Sequence, residues 1–214
     1  MGCGPSLTSD VISLARDAVG RGLARCIAVN DAYLVAPFAD VLHFCDTAWF
    51  EWHSFGIEKG ALGLSAVDVA DKFARFRGQK SSTELSINKI DDDRVHFFRL
   101  CGFRDSNVGL SFDQCKIGFG RSSGFQALNI AVLSGSKTII LLGFDGGPNK
   151  DGVTHFHGGH PRKQTDGSWS VVKKNFARAE TSLRDSNVRV FNCAIGSKLG
   201  FARVDVFSLF NSLF

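Results

Sequence analysis

The sequence predicts a single α/β domain spanning residues 1–214, a mostly parallel sheet flanked by helices. Three observations predict it. Short apolar runs of strand length recur, and each stops abruptly at polar residues: Cys26-Ile27-Ala28-Val29 before Asn30-Asp31, and Val41 to Cys45 before Asp46-Thr47. Segments with helical spacing alternate with these runs. The composition, 44% hydrophobic and 21% charged with 4 Pro and 23 Gly, excludes disordered, collagenous and coiled-coil chains. The length suits one domain on the usual ~100–200 residues per domain.

Taken in order, Thr8, Ser9 or Asp10 caps a first helix whose apolar positions Val11, Ile12, Leu14, Ala15 and Val19 follow helical spacing up to Gly20 and Gly22. The two apolar runs follow as buried strands. Asp46 to Phe55 starts at an Asp or Thr cap and places Trp49 and Trp52 on one face. A helical stretch lies near 66–76, and the polar segment Gly78 to Asp93 makes residues 56–93 a candidate lid or irregular insertion. Arg94 to Leu100 reads as a strand. Arg121-Ser122-Ser123-Gly124 opens a helix to about Leu133, and Lys137 to Leu142 is the clearest strand, ending in Gly143-Phe144-Asp145. A Gly- and His-rich loop leads to a helix near 168–184, the strand Val188 to Phe191 closed by Asn192, and a C-terminal helix over 204–214.

Several classes of partner are excluded or disfavoured. The formal net charge of +4 is spread without a run, so nothing indicates a nucleic-acid groove or an anionic membrane partner. The longest apolar stretches, such as Thr138 to Phe144, fall far below the ~18 residues of a membrane span. Six cysteines without a CxxC pair point to a reducing, cytoplasmic setting. The 20 Phe, with Trp49 and Trp52, are read as packing rather than base-stacking platforms.

In parallel sheets ligands bind beyond the carboxyl ends of the strands, where Asn30, Asp46, Asp145 and Asn192 collect. Gly120 to Gly124 offers a guanidinium, two hydroxyls and free helix-terminal N–H groups, the makings of an anion site; an ordinary capped helix is the plainer alternative. His155, His157 and His160 crowd one loop, where they can serve as general acid or base, as ligands to zinc together with Asp145, or as a surface cluster. At the N-terminus, Gly2 with Ser6 fits a myristoylation pattern with Cys3 as a second acylation point, and Gly2 to Ser6 equally reads as a glycine turn that holds phosphate.

In their order, these motifs resemble the bacterial lipooligosaccharide-type sialyltransferases and related Rossmann-like phage and archaeal proteins, a superfamily that includes hydroxymethylpterin pyrophosphokinase-like enzymes. The likeness rests on Gly2-Cys3-Gly4-Pro5-Ser6-Leu7 for the family's GNGPSL turn, Asn30 after one strand, Asp46 after the next, and Arg121-Ser122-Ser123-Gly124 at a helix start. Gly143-Phe144-Asp145 matches a GxD strand end, and His155 to His160 is similar to HYxGH with one residue inserted. It covers most of the chain, weakly in residues 56–110.

The resemblance implies a Rossmann-like domain that binds a nucleotide-activated donor without an obligatory metal and transfers a glycosyl group to an acceptor hydroxyl in the cytoplasm, the host's cytoplasm if a phage encodes it. His160 matches the general base, with His155 and His157 as alternatives and Arg121 assisting. Gly2, Gly4, Ser6, Asn30, Asp46 and Asp145 would hold the nucleotide, and Ser122, Ser123 and Gly124 with Arg121 the donor's anionic part. The only tyrosine is Tyr33, so the family's phosphate-binding tyrosines are absent or replaced. Cys3 and Asp46 stand where the family has Asn, which frees the donor from being a cytidine nucleotide. The alternatives are pyrophosphate or nucleotidyl transfer, with Mg²⁺ near Asp46 and Asp145, and a nucleotide-binding or interaction protein without catalysis; self-association is open. The register of these motifs favours the phosphate-turn reading over lipidation. In the family a buried strand precedes the turn, so the sequence predicts either residues upstream of Met1 or a sheet that covers the gap another way.

Overall fold

The computed structural model describes residues 1–56, 61–86, 90–102, 109–158 and 166–213. Helices and strands alternate through them. The elements are α1 (Ser9–Gly20), β1 (Ile27–Val29), β2 (Val41–His43), α2 (Thr47–Phe55), α3 (Ala66–Ala74), β3 (Gln79–Thr83), β4 (Val95–Cys101) and β5 (Lys116–Gly118), followed by α4 (Ser123–Leu133), β6 (Thr138–Leu141), α5 (Asp166–Leu183), β7 (Arg189–Asn192), β8 (Ala202–Arg203) and α6 (Val206–Leu213).

The helices begin where the sequence supplies caps. Thr8 accepts from Val11 N, Asp46 from Ala48 N, Ser65 from Asp68 N in a reciprocal capping box, and Ser122 from Phe125 N. Each satisfies a backbone donor that a helix start leaves unpaired.

Every strand pair is parallel, in the orders β1-β2-β3-β4-β5 and β6-β7-β8. The first residues of the chain join the two halves. Val29 N donates to Met1 O at 3.0 Å and Gly2 N to Leu142 O at 2.7 Å, so residues 1–4 run between the ends of β1 and β6. The chain is therefore a Rossmann-like α/β domain in which strand order reverses at this junction. Alternation along the strands divides the core. Ala28, Leu42 and Leu142 face α1, α2, α3 and α6, whereas Val29, Ile139, Leu141 and Val190 face α4 and α5.

Most predicted elements stand within a few residues of their expected bounds; the exception is the region 56–93. In place of a lid or irregular insertion it contributes α3 and then β3, a strand in the sheet interior between β2 and β4. Residues 57–60 and 87–89 lie outside the described residues. Polar side chains disguise β3, because Lys80, Ser81, Ser82 and Thr83 are all buried. Lys80 Nζ sits 4.3 Å from the centre of the Phe73 ring and 3.7 Å from Asp92 Oδ2, which lets its stem pack while its charge keeps a partner.

Ser81 Oγ meets His43 Nδ1 at 3.0 Å, and His43 Nε2 meets Gln126 Oε1 at 2.9 Å, so a polar bridge runs from β3 through β2 to α4. Burial pushes the His43 imidazole down to about 4, against a smaller opposing effect of Gln126. His43 is thus a neutral strut beneath the start of α4. Among the described residues no helix is long and apolar enough to cross a membrane.

Candidate active site

The strand tips enclose a groove of about 580 Å³, lined among others by Asn30, Asp46, Arg121, Ser123 and Trp169. It adjoins a chamber of about 120 Å³ lined by Gly2, Gly4, Asn30, Asp145 and His155. Asn30, Ser122, Gly124, Trp169 and Val172 line both. Loop tips from the start, middle and later part of the chain thus meet over the junction where strand order reverses.

Two of these tips hold non-glycine residues in left-handed backbone. Asn30 has φ 48° and Arg121 φ 54°. Such conformations cost free energy and persist where surrounding structure fixes them. At Arg121 the fixing groups are visible: Gln126 Nε2 donates to Phe119 O at 2.9 Å and Asn175 Nδ2 to Gly120 O at 2.7 Å. Gly120, at φ 51°, packs so closely that a Cβ would fall onto the Phe125 ring. This turn delivers an exposed Arg121 beside the N-terminus of α4, where Ser122 caps and Ser123 Oγ donates to Cys45 Sγ at 3.0 Å. Asn30 Oδ1 is buried and has no hydrogen-bond partner. An unpaired acceptor in a cleft wall is costly unless a ligand donor meets it.

The glycine turn serves packing first. Gly2 N and Gly4 N donate to Leu142 O and Gly143 O, and a Cβ on Gly4 would strike Asp145 Oδ2. Asp145 in turn accepts from Ser6 Oγ at 2.8 Å and Ser6 N at 3.3 Å. Burial raises the Asp145 pKa, with the Ser6 contacts opposing. Ser6 and Asp145 thereby clamp the turn to the end of β6, and Gly2, Gly4 and Asp145 form the chamber wall. Asp46 caps α2 and lies at the groove rim. Asn192 is drawn away from the cleft: buried, it donates to Ser197 Oγ at 2.8 Å and shapes the loop after β7.

His155 is buried beside the chamber, its Nδ1 2.8 Å from Thr154 Oγ1. His157 turns instead toward Asp31, its Nε2 3.0 Å from Oδ2, at ion-pair distance though off the line of a hydrogen bond. His160 lies outside the described residues. Of the residues offered for zinc, His157 lies against Asp31, Asp145 holds Ser6, and His160 is outside the described residues. Among the described residues no group of three or more His, Cys, Asp or Glu is placed to hold a metal.

Sequence reasoning missed the network behind this wall. Asp31 Oδ1 accepts from Trp49 Nε1 at 2.8 Å and lies 2.8 Å from His53 Nε2, and His53 Nδ1 meets the Tyr33 hydroxyl at 2.8 Å. Burial alone would raise the Asp31 carboxyl, but His157 and His53 outweigh it and hold it well below the ordinary carboxylate range. The result is a buried carboxylate that fixes α2, the Asn30 turn and the histidine loop to one another. Its sequence signal was slight: one more polar residue after a strand tip.

No protein-family model, no curated protein and no solved structure matches this chain.

Proposed function

We propose that the chain is a nucleotide-dependent transferase that holds an activated sugar donor in the strand-tip cleft and passes its glycosyl group to an acceptor hydroxyl. The observation that carries this reading is the convergence of the glycine turn, Asn30, Arg121 to Gly124 and His155 on one cleft. The N-terminus of α4 and the Arg121 guanidinium suit the donor's phosphate. The buried Asn30 Oδ1 suits an amino or hydroxyl donor on the nucleotide.

His155 accepts the acceptor's hydroxyl proton as that oxygen forms a bond to the anomeric carbon. The bond from that carbon to the phosphate oxygen breaks, and the nucleotide leaves with the electron pair. Arg121 and the helix N-terminus stabilise its growing negative charge. The setting we assign is the cytoplasm, on six cysteines without a CxxC pair.

The test is a thermal-shift screen with CMP, UDP, GDP and ATP, with and without Mg²⁺. At least one nucleotide is expected to raise the melting temperature, since a ligand of the native state alone stabilises it. Arg121→Ala should weaken that nucleotide about tenfold or more, the loss of a charge-assisted hydrogen bond. No shift with any nucleotide would sink the proposal; a shift that requires Mg²⁺ would favour nucleotidyl transfer.

A further inference from the structure

A second groove, sharing no lining residue with the strand-tip cleft, lies between α2, α3 and the turn that leads into β4. Its volume is about 510 Å³. Phe50 and Phe55 of α2 and Ala70, Phe73 and Ala74 of α3 form its apolar walls, and Asp91, Asp92 and Asp93 close one side. Three consecutive carboxylates are a local reversal in a chain of formal net charge +4.

These carboxylates are not equivalent. Asp92 is committed, because its two oxygens each lie 2.8 Å from a nitrogen of the Arg94 guanidinium and Lys80 Nζ approaches at 3.7 Å. Asp91 and Asp93 are exposed and form no hydrogen bond or ion pair among the described residues. The wall behind them shows what chemistry it accepts. Lys80 Nζ, 4.3 Å from the centre of the Phe73 ring and beside Asp92, is already a cation held between an aromatic face and a carboxylate. Phe55 with Asp91 and Asp93 offers the same two groups at the surface. In the same wall Ser54 Oγ is buried without a hydrogen-bond partner, which is costly unless a docked chain supplies one.

Apolar surface continues beyond the groove. Phe55 is 68% exposed and Val67 76%. Gly56 packs against Ala66, which brings the end of α2 beside the start of α3, and Val67, Ala70 and Ala74 follow one another along α3 at helical spacing. Contiguous exposed apolar side chains mark a contact surface where a single one would not.

We propose that this groove docks a basic amphipathic segment of a partner protein. One Lys or Arg of the segment lays its stem on Phe55 and its charge between Asp91 and Asp93, and apolar side chains of the same segment cover Val67, Ala70 and Ala74. The unpaired carboxylates select a cation and repel nucleic acid and anionic lipid. The stripe on α3 selects a chain with its own apolar face over a free amine, which would leave Val67 uncovered.

The test is selection on the intact chain from a displayed library of random peptides of about three helical turns. The enriched peptides are then synthesised, labelled with fluorescein and titrated. Enriched sequences are expected to carry Lys or Arg with Leu, Ile, Val or Phe one helical turn away. Asp91→Asn/Asp93→Asn and Phe55→Ser should each weaken binding about fivefold or more. All three positions are exposed, so the melting temperatures should change little. Nucleotide binding in the strand-tip cleft should be the same in every variant, which keeps this result separate from the proposed function. Enrichment without basic residues, or affinities that both variants leave unchanged, would overturn the proposal. So would tighter binding of spermidine than of the peptides, which assigns the groove to a free amine, or self-association that Phe55→Ser abolishes, which assigns it to a second copy of the chain.

Discussion

Asp31→Ala is expected to destabilise the protein by about 3–5 kcal/mol, the cost of removing one partner from a buried ionic cluster. The substitution deprives the Trp49 indole N–H and the His53 Nε2 of their acceptor and leaves His157 without the carboxylate it faces. All of this happens away from water, with the Asp31 and His53 side chains each 7% exposed. Urea unfolding gives the difference directly. Asp31→Asn should fall between wild type and alanine, since an amide oxygen still accepts but carries no charge.

The pH dependence has a defined sign. A carboxyl whose folded pKa is depressed contributes stability that is complete above its unfolded value of ~3.9 and is lost as pH falls through the folded value. The gap between wild type and Asp31→Asn should therefore stay constant above about pH 5 and narrow in more acid solution. Equal midpoints at pH 7 would show that the cluster contributes nothing.

Once a donor nucleotide is known from binding, His155→Gln is expected to lower turnover by ~10²–10⁴-fold, the usual worth of a positioned general base. Nucleotide affinity should change little, because the role assigned to His155 is toward the acceptor. Glutamine approximates the imidazole's size, so the contact with Thr154 and the packing against His157, 5.1 Å away between ring centres, lose little. The measurement is release of free nucleotide from the sugar nucleotide in the presence of acceptor. Undiminished turnover would remove His155 as base. Weakened nucleotide binding with unchanged turnover at saturation would make it a donor contact instead.

The sequence made the site more legible than its support. Strand tips, the Arg121 to Gly124 helix start and the glycine turn each carry a local signature, because turns and caps are built from a few adjacent residues. β3 was illegible for the opposite reason. Lys80 to Thr83 shows no apolar run, and what makes it a core strand is distant: the Phe73 ring, Asp92 and His43. Asp31 belongs to the same class, since His53, Trp49 and His157 meet it only in the fold. β5 and β8 escaped because Lys116-Ile117-Gly118 and Ala202-Arg203 carry no apolar run, whereas the similarly short β1 and β2 sit inside one. Gly4 was read as room for a phosphate, and the structure shows a further constraint, close contact with Asp145.

The central claim is that a nucleotide occupies the strand-tip cleft. All 3 tryptophans of the chain, Trp49, Trp52 and Trp169, line its groove, so intrinsic fluorescence reports on that cleft and on no other tryptophan site. Titration with CMP, UDP, GDP and ATP should give a saturable change in emission for at least one of them, with a Kd on the order of 1 μM to 1 mM, the usual range for enzyme substrates. Arg121→Ala should move that curve to higher concentration. Emission that stays unchanged with every nucleotide, or a response that Arg121→Ala leaves in place, would contradict the assignment.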